Sequence, residues 1–328
     1  MTRFKLDRRS LGLAAAGAAL LLCGPALAQD AENFPSGPIE VVIHTTFGGG
    51  TDITARMMSI RTRRELDNTD VVIVSKPGGG GAEAQNYVMS KPADGHTVLA
   101  VTQTHLYTIA RGQSEMGIDD LVGVARAMDE PTFITVGANS QYETIDDLIE
   151  ASKQQPLNWG ISVIGSTEHI GLAQFAEAAG IEYKVVPFGS GGEMVQALLS
   201  GAIDAILPNV SEAASQIGDG SMRALLIMSR ERLDDYPDVP TSFEKGWEAR
   251  LSTTRGYVVR AGTPQPIIDK LSEAMVTAMN HEVFVNYLAS AGLEPEGNVG
   301  GWEEWDQQLK EEYQSARETM EELGLLSQ

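Results

Sequence analysis

From Ile39 onward the chain alternates short apolar runs with amphipathic stretches, and the alternation persists to about Pro264. Ile39–His44 is a nearly continuous apolar run of strand length, set between Pro38 and a glycine-rich segment. Runs of this kind read as strands covered on both faces. Thr51–Leu66 follows as a helix, with Ile53, Met57 and Ile60 on one side. The pattern then predicts strand Val71–Val74, helix Ala82–Ser90 and strand Thr97–Thr102. An irregular stretch leads to strand Thr132–Val136. Thr144-Ile145-Asp146-Asp147 fits a capping box that opens a helix over Thr144–Lys153. Strand Leu157–Gly160 comes next, then helix Thr167–Ala179, where Leu172, Phe175, Ala176 and Ala179 share a face. Strand Tyr183–Val186, helix Glu193–Ser200 and strands Ala202–Leu207 and Arg223–Met228 complete the alternation.

Beyond Pro264 the chain turns helical. Its last helix carries Trp302, Trp305, Leu309, Tyr313, Ala316, Met320 and Leu323 in one stripe, with Gly324 placed to end it. That stripe reads as a packing face rather than an aromatic ligand box. Strands joined by short helical crossovers give an α/β fold of mostly parallel sheets flanked by helices. A mature chain of about 300 residues is enough for two domains.

The first 28 residues have a different character. Arg3, Lys5, Arg8 and Arg9 precede the apolar run Leu11–Leu22, and Ala26-Leu27-Ala28 has the small-x-small form of a cleavage site. The run falls short of the ~20 residues a membrane-spanning helix needs. Residues 1–28 are therefore expected to be a cleaved export signal, by the general secretory or, given Arg8-Arg9, the twin-arginine route, and the mature protein is expected to be periplasmic. The only cysteine, Cys23, lies inside this signal, and Leu20-Leu21-Leu22 before it lacks the small residue of a lipid-attachment motif. Cleavage at Ala28 leaves no cysteine for disulfides, thiolate metal sites or thiol nucleophiles.

Removing the signal, with its four basic residues and one acid, takes the formal net charge from −21 to −24. So acidic a chain argues against nucleic acid and anionic membrane surfaces as partners. It does not exclude a small anionic ligand, because backbone N–H groups act locally, within a Debye length of ~8–10 Å. The histidines His44, His96, His105, His169 and His281 show no metal-binding spacing. No G-x-S-x-G, P-loop or G-x-G-x-x-G pattern occurs, so no catalytic constellation, cofactor or metal is expected.

Three strand-to-helix turns carry candidate chemistry. Thr45, Thr46, Phe47, Gly48, Gly49, Gly50 and Thr51 form a glycine-rich turn at a helix N-terminus, where free N–H groups and the helix dipole favour an anion. Ser166, Thr167 and His169 open a second helix. Phe188, Gly189, Ser190, Gly191 and Gly192 open a third. Asp52 and Glu193 fall in first turns, where each either complements the helix dipole or meets ligand, Glu193 through a cationic ligand group; Asp204 is a further candidate.

The chain resembles the solute-binding receptors of the tripartite tricarboxylate transporter family, the Bug receptors. Phe34-Pro35-Ser36-Gly37-Pro38-Ile39 and Gly48-Gly49-Gly50-Thr51-Asp52-Ile53-Thr54-Ala55-Arg56 match the family's opening motifs. In family order follow Lys76-Pro77-Gly78-Gly79-Gly80-Gly81, Ala93-Asp94-Gly95-His96-Thr97, Gly165-Ser166-Thr167-Glu168-His169, Val186-Pro187-Phe188, Gly201-Ala202-Ile203-Asp204, Pro237-Asp238-Val239-Pro240-Thr241 and Ala261-Gly262-Thr263-Pro264. The resemblance implies a two-lobed type II periplasmic binding protein with its ligand cleft between the lobes. Domain one would be 29–130 and 255–328, domain two 131–254 inserted in it, with hinges at Ala127–Pro131 and Ser252–Gly256. It implies a monomer that captures a small organic carboxylate by domain closure, the first and third turns acting as a pincer, and delivers it to integral-membrane transporter subunits. A sensing receptor of the same fold and, more remotely, an exported enzyme are the alternatives. The third turn departs from the family's Tyr-Lys-Gly-Gly-Gly-Pro, having Phe188-Gly189-Ser190-Gly191-Gly192-Glu193, and Thr45-Thr46-Phe47 replaces Pro-Phe-Pro. The identity of the carboxylate therefore does not carry over.

Overall fold

The computed structural model describes residues 33–322 together with Gly324 and Leu326. The export signal expected over 1–28 and Leu323 of the aromatic stripe lie outside the described residues. Two five-stranded sheets organise the molecule. In the first, β1 (Ile39–Ile43) lies between β2 (Val71–Ser75) and β3 (Thr97–Val101), parallel to both. β10 (Ser252–Arg260) then runs antiparallel between β3 and the long β4 (Leu121–Pro131). In the second, β6 (Leu157–Ile161) pairs parallel with β7 (Tyr183–Pro187) and with the two-residue β8 (Ala205–Ile206). β5 (Phe133–Gly137) pairs antiparallel with β8 and with β9 (Met222–Ile227).

Both sheets are thus mixed. Their parallel halves come from the short crossovers legible in the sequence, and their antiparallel halves from strands that enter or leave a lobe. β4 and β10 run alongside each other from Leu121↔Arg260 to Pro131↔Ser252. The chain passes from β4 into β5 of the second sheet, and returns to the first through β10.

Ten helices cover the sheets among the described residues: α1 (Gly50–Glu65), α2 (Ala82–Met89), α3 (Gln103–Ala110), α4 (Ile145–Gln154), α5 (Thr167–Ala179), α6 (Gly191–Leu199), α7 (Val210–Gly218), α8 (Gln265–Met279), α9 (Glu282–Ala289) and α10 (Trp302–Glu322). The capping box of α4 is formed, with Asp147 N donating to Thr144 Oγ1 at 3.2 Å and Thr144 N to Asp147 Oδ2 at 2.9 Å. The α10 stripe packs on the first sheet. Trp305 is fully buried and donates from its indole to the Tyr257 carbonyl at 3.2 Å, and Gly256 leaves no room for a Cβ beneath that ring.

Two helices, α3 and α7, and the strands β4 and β10 occupy stretches where periodicity predicts no element, and the strand expected over Ala202–Leu207 shrinks to two residues. α3 buries six of its eight residues, Thr104–Ile109, so it has no polar face to mark a helical period. α7 is short and rich in alanine and serine. Both helices open onto the space between the sheets.

Candidate functional site

Five helix N-termini converge between the lobes. α1 and α3 come from the first lobe, α5, α6 and α7 from the second. The residues around them enclose a cavity of about 20 Å³. His44, Thr45, Gly49, Gly50 and Thr51 supply the β1–α1 side, and Thr102 and Thr104 the start of α3. Ser162, Thr167 and Glu168 lie around the start of α5, Gly191 and Glu212 at the starts of α6 and α7, and Thr253 and Arg255 on β10. Each helix start presents first-turn N–H groups without intrahelical partners and carries up to about half a positive charge. Each helix start by itself favours an anion, set here among the side chains of Glu168, Glu212 and Arg255.

The charged groups are ordered in depth. Arg255, buried on β10, pairs with the buried Glu130 of β4 and donates from Nη2 to Asn209 Oδ1 at 2.8 Å. Burial pushes the Glu130 carboxyl up while Arg255 pulls it back. Burial opposes the Arg255 charge, but Glu130 and its neighbours more than offset this and keep it protonated. Nearer the opening, Glu212 Oε2 accepts from Asn209 N at 3.1 Å and Oε1 from Gly50 N, in the other lobe, at 2.7 Å. Desolvation raises the Glu212 carboxyl above its ordinary range.

Beneath the cleft His44 and His105 stack edge to face, centroids 4.3 Å apart. Burial and then Arg255 lower the His44 pKa to about 4; burial and then His44 hold His105 well below its usual value. Both rings are neutral at pH 7, and His105 Nδ1 accepts from Thr102 N at 3.1 Å. Four buried polar atoms of cleft residues have no protein partner: His44 Nδ1, Thr45 Oγ1, Thr102 Oγ1 and Arg255 Nε. Buried polar groups are rarely left unpaired, so these atoms suit a polar guest.

Of the residues singled out in the sequence, Thr45, Gly49, Gly50, Thr51, Thr167 and Gly191 line this cleft. Others form a clasp at its rim. Thr46 N donates to Gly189 O at 3.0 Å, Thr46 Oγ1 to Glu193 Oε1 at 2.7 Å, and Gly189 N to Glu193 Oε2 at 3.0 Å. Gly192 lies so close to Gly48 that a Cβ on it would come within 2.6 Å of the Gly48 carbonyl oxygen.

Ser166 and Ser190 are buried N-caps, accepting from His169 N at 3.3 Å and Glu193 N at 3.4 Å. His169 accepts from Gly165 N at 3.0 Å through Nδ1. Asp52 accepts from Gly48 N at 2.9 Å and pairs with Arg56 at 2.8 Å, serving its own helix start. Phe47 is 54 % exposed, with the Arg56 guanidinium 5.3 Å from its ring centre. Phe188 lies in a neighbouring cavity. Asp204 accepts from Asn158 N at 2.8 Å and is not brought to the cleft.

Sequence reasoning missed His44, Thr102, Thr104, Ser162, Glu168, Glu212, Thr253 and Arg255. Asn209-Val210-Ser211-Glu212 has the spacing of a capping box and could have revealed α7 with Glu212. Arg255 left no local signal, since only strand pairing sets it beside Glu130.

The chain is similar to known proteins over most of its length. BugT of Bordetella pertussis (strain Tohama I) is 28% identical over 292 residues, covering 86% of this chain and 89% of that protein. A solved structure described as a periplasmic transporter superposes with a TM-score of 0.83 at 26% identity, covering 89% of this chain and 99% of that one. MatC from Rhodopseudomonas palustris, solved with bound malate, superposes with a TM-score of 0.80 at 24% identity, covering 87% and 99%. Residues 54–325 match the family model TctC, described as the tripartite tricarboxylate transporter family receptor. With its two lobes and the cleft between them, this chain belongs to that family of solute-binding receptors.

Proposed function

We propose that this protein is a periplasmic receptor that captures a small organic carboxylate between its lobes and passes it to the family's integral-membrane transporter subunits. The convergence of five helix N-termini from both lobes on one cleft carries this reading, because a carboxylate set there meets N–H donors from each side. MatC, of the same fold, holds malate. The lobes proposed are 29–130 with 255–328, and 131–254, hinged where β4 and β10 run together.

A cavity of about 20 Å³ has room for little more than a water. Ligand entry therefore requires the lobes to part, and capture is their closure, favoured by whatever the ligand gains from both sides at once. The ligand leaves chemically unchanged. The experiment is a thermal-shift screen of the mature chain with hydroxy acids, dicarboxylates and aromatic acids. A ligand at 100 times its Kd adds ~2.7 kcal/mol to stability. Shifts from sugars or cations alone, with every carboxylate silent, would sink the reading.

A further inference from the structure

A second cavity, of about 470 Å³, opens between the lobes beside the cleft. Its walls include Gly79 and Arg111 from the first lobe and Val163, Ile164, Pro187 and Phe188 from the second. The β6–α5 loop lines both cavities, through Ser162 in the one and Val163 and Ile164 in the other, so the two are neighbours. The Gly78–Gly81 motif, given no role in the cleft, finds its place here.

The arginine is the unusual element. Arg111 ends α3, and its Nε donates to the Tyr107 carbonyl at 3.3 Å. Its Nη2 is buried without a partner. No acid offsets the charge; burial alone acts on it, lowering its pKa. Glycines from opposite lobes make space for the guanidinium: a Cβ on Gly165 would come within 2.6 Å of Nη1, and one on Gly80 within 3.4 Å of Nη2. Facing it is apolar surface, including Ile164, which is 50 % exposed. The guanidinium is half-buried, with Nη2 shut off from solvent and no counter-charge beside it, and its planar fork of donors matches a carboxylate.

We propose that this cavity is a second ligand subsite, in which Arg111 receives the carboxylate of an organic anion and Ile164, Val163 and Phe188 receive its apolar body. The proposal rests on the carboxylate-receptor reading and adds to it a place for anions too bulky and apolar for the inner cleft.

The test is titration calorimetry of the mature chain with sodium benzoate, benzamide and malate. Benzoate is expected to bind the wild type. Arg111→Gln should weaken benzoate at least tenfold and malate far less, and Arg111→Lys should recover part of the loss. Benzamide, which keeps the ring and lacks the charge, should bind the wild type no better than benzoate binds Arg111→Gln. Ile164→Ser, at an exposed position that leaves folding undisturbed, should weaken benzoate and benzamide alike. Benzoate binding unaffected by Arg111→Gln overturns the subsite. So does equal loss of malate and benzoate, which would assign Arg111 to the inner cleft. Malate bound with benzoate silent overturns the subsite alone, whereas silence from both, and from the wider carboxylate screen, overturns the receptor reading with it.

Discussion

Glu212 Oε1 accepts a hydrogen bond from Gly50 N at 2.7 Å, so a carboxylate of the second lobe sits on the helix N-terminus of the first. The same carboxylate rests against Gly191, where an added Cβ would come within 2.6 Å of its Cδ. Under the proposed function this is the seat of a ligand carboxylate; here the chain's own acid fills it and ties the two lobes together.

Glu212→Ala should therefore loosen the closed form. A charge-assisted hydrogen bond contributes ~1.5–3 kcal/mol, enough to shift a two-state open–closed balance by a factor of ten or more. Small-angle scattering should show a larger radius of gyration for the unliganded variant than for the wild type. Equal radii would mean that Glu212 does not latch the lobes.

Gly192→Ala tests the rim from the other side. In the arrangement seen here the new methyl would collide with the Gly48 carbonyl, a clash that parting of the lobes would relieve. Urea unfolding should change little, while affinity for whichever carboxylate the screen identifies should fall more than tenfold. Unchanged affinity would show that capture does not require these two loops to meet.

Ser166→Ala and Ser190→Ala should act on stability. Each hydroxyl caps its helix, and losing an N-cap costs ~0.5–2 kcal/mol. Chemical denaturation should reveal that loss in both variants, with ligand affinity following only as far as the helix starts lose order.

The buried histidines set a pH dependence of definite sign. The folded pKa of His44 is lowered from 6.5 to about 4. Its contribution to stability is therefore complete above pH 6.5 and disappears as pH falls toward 4, because the unfolded chain takes up the proton first. At 1.36 kcal/mol per pKa unit the total is ~3 kcal/mol. Glu130 and Glu212, whose carboxyls are raised, act with the opposite sign, stabilising at acid pH and losing that contribution as pH rises. The readout is thus a difference: His44→Gln should flatten the fall in urea midpoint between pH 7 and 4.5 relative to wild type. Parallel profiles would show that His44 does not titrate as its burial requires.

Arg255→Met should be the most damaging single change, costing ~3–5 kcal/mol by leaving Glu130 buried and unpaired. Adding Glu130→Leu should restore much of the loss. A double variant no more stable than Arg255→Met would mean that the arginine acts through Asn209 rather than through the ion pair.

The sequence by itself determined what is written locally. The runs at Ile39–His44 and Leu157–Gly160 are mostly apolar, of strand length and bounded by proline or glycine, so they read as buried strands. Thr144 with Asp147, and the glycines beside Thr51 and Gly191, mark helix starts by side-chain and backbone chemistry that acts over three or four residues. The two glycine-rich turns, with Ser166 and Thr167 at a third helix start, located three of the five helix N-termini around the cleft, and the ordered motifs named the family. Tertiary structure decided the rest. α3 is buried nearly all round and produces no period, and α7 is only nine residues long, too short for its Val210, Ala213 and Ile217 stripe to stand out; with them went Thr102, Thr104 and Glu212. Ser166 and Ser190 have hydroxyls suited to a ligand, yet only the fold shows them turned back onto their own helices. Arg255 and Glu130 lie 125 positions apart and become partners because β10 returns antiparallel to β4. A charge pair of that kind belongs to strand register, which no window of sequence contains.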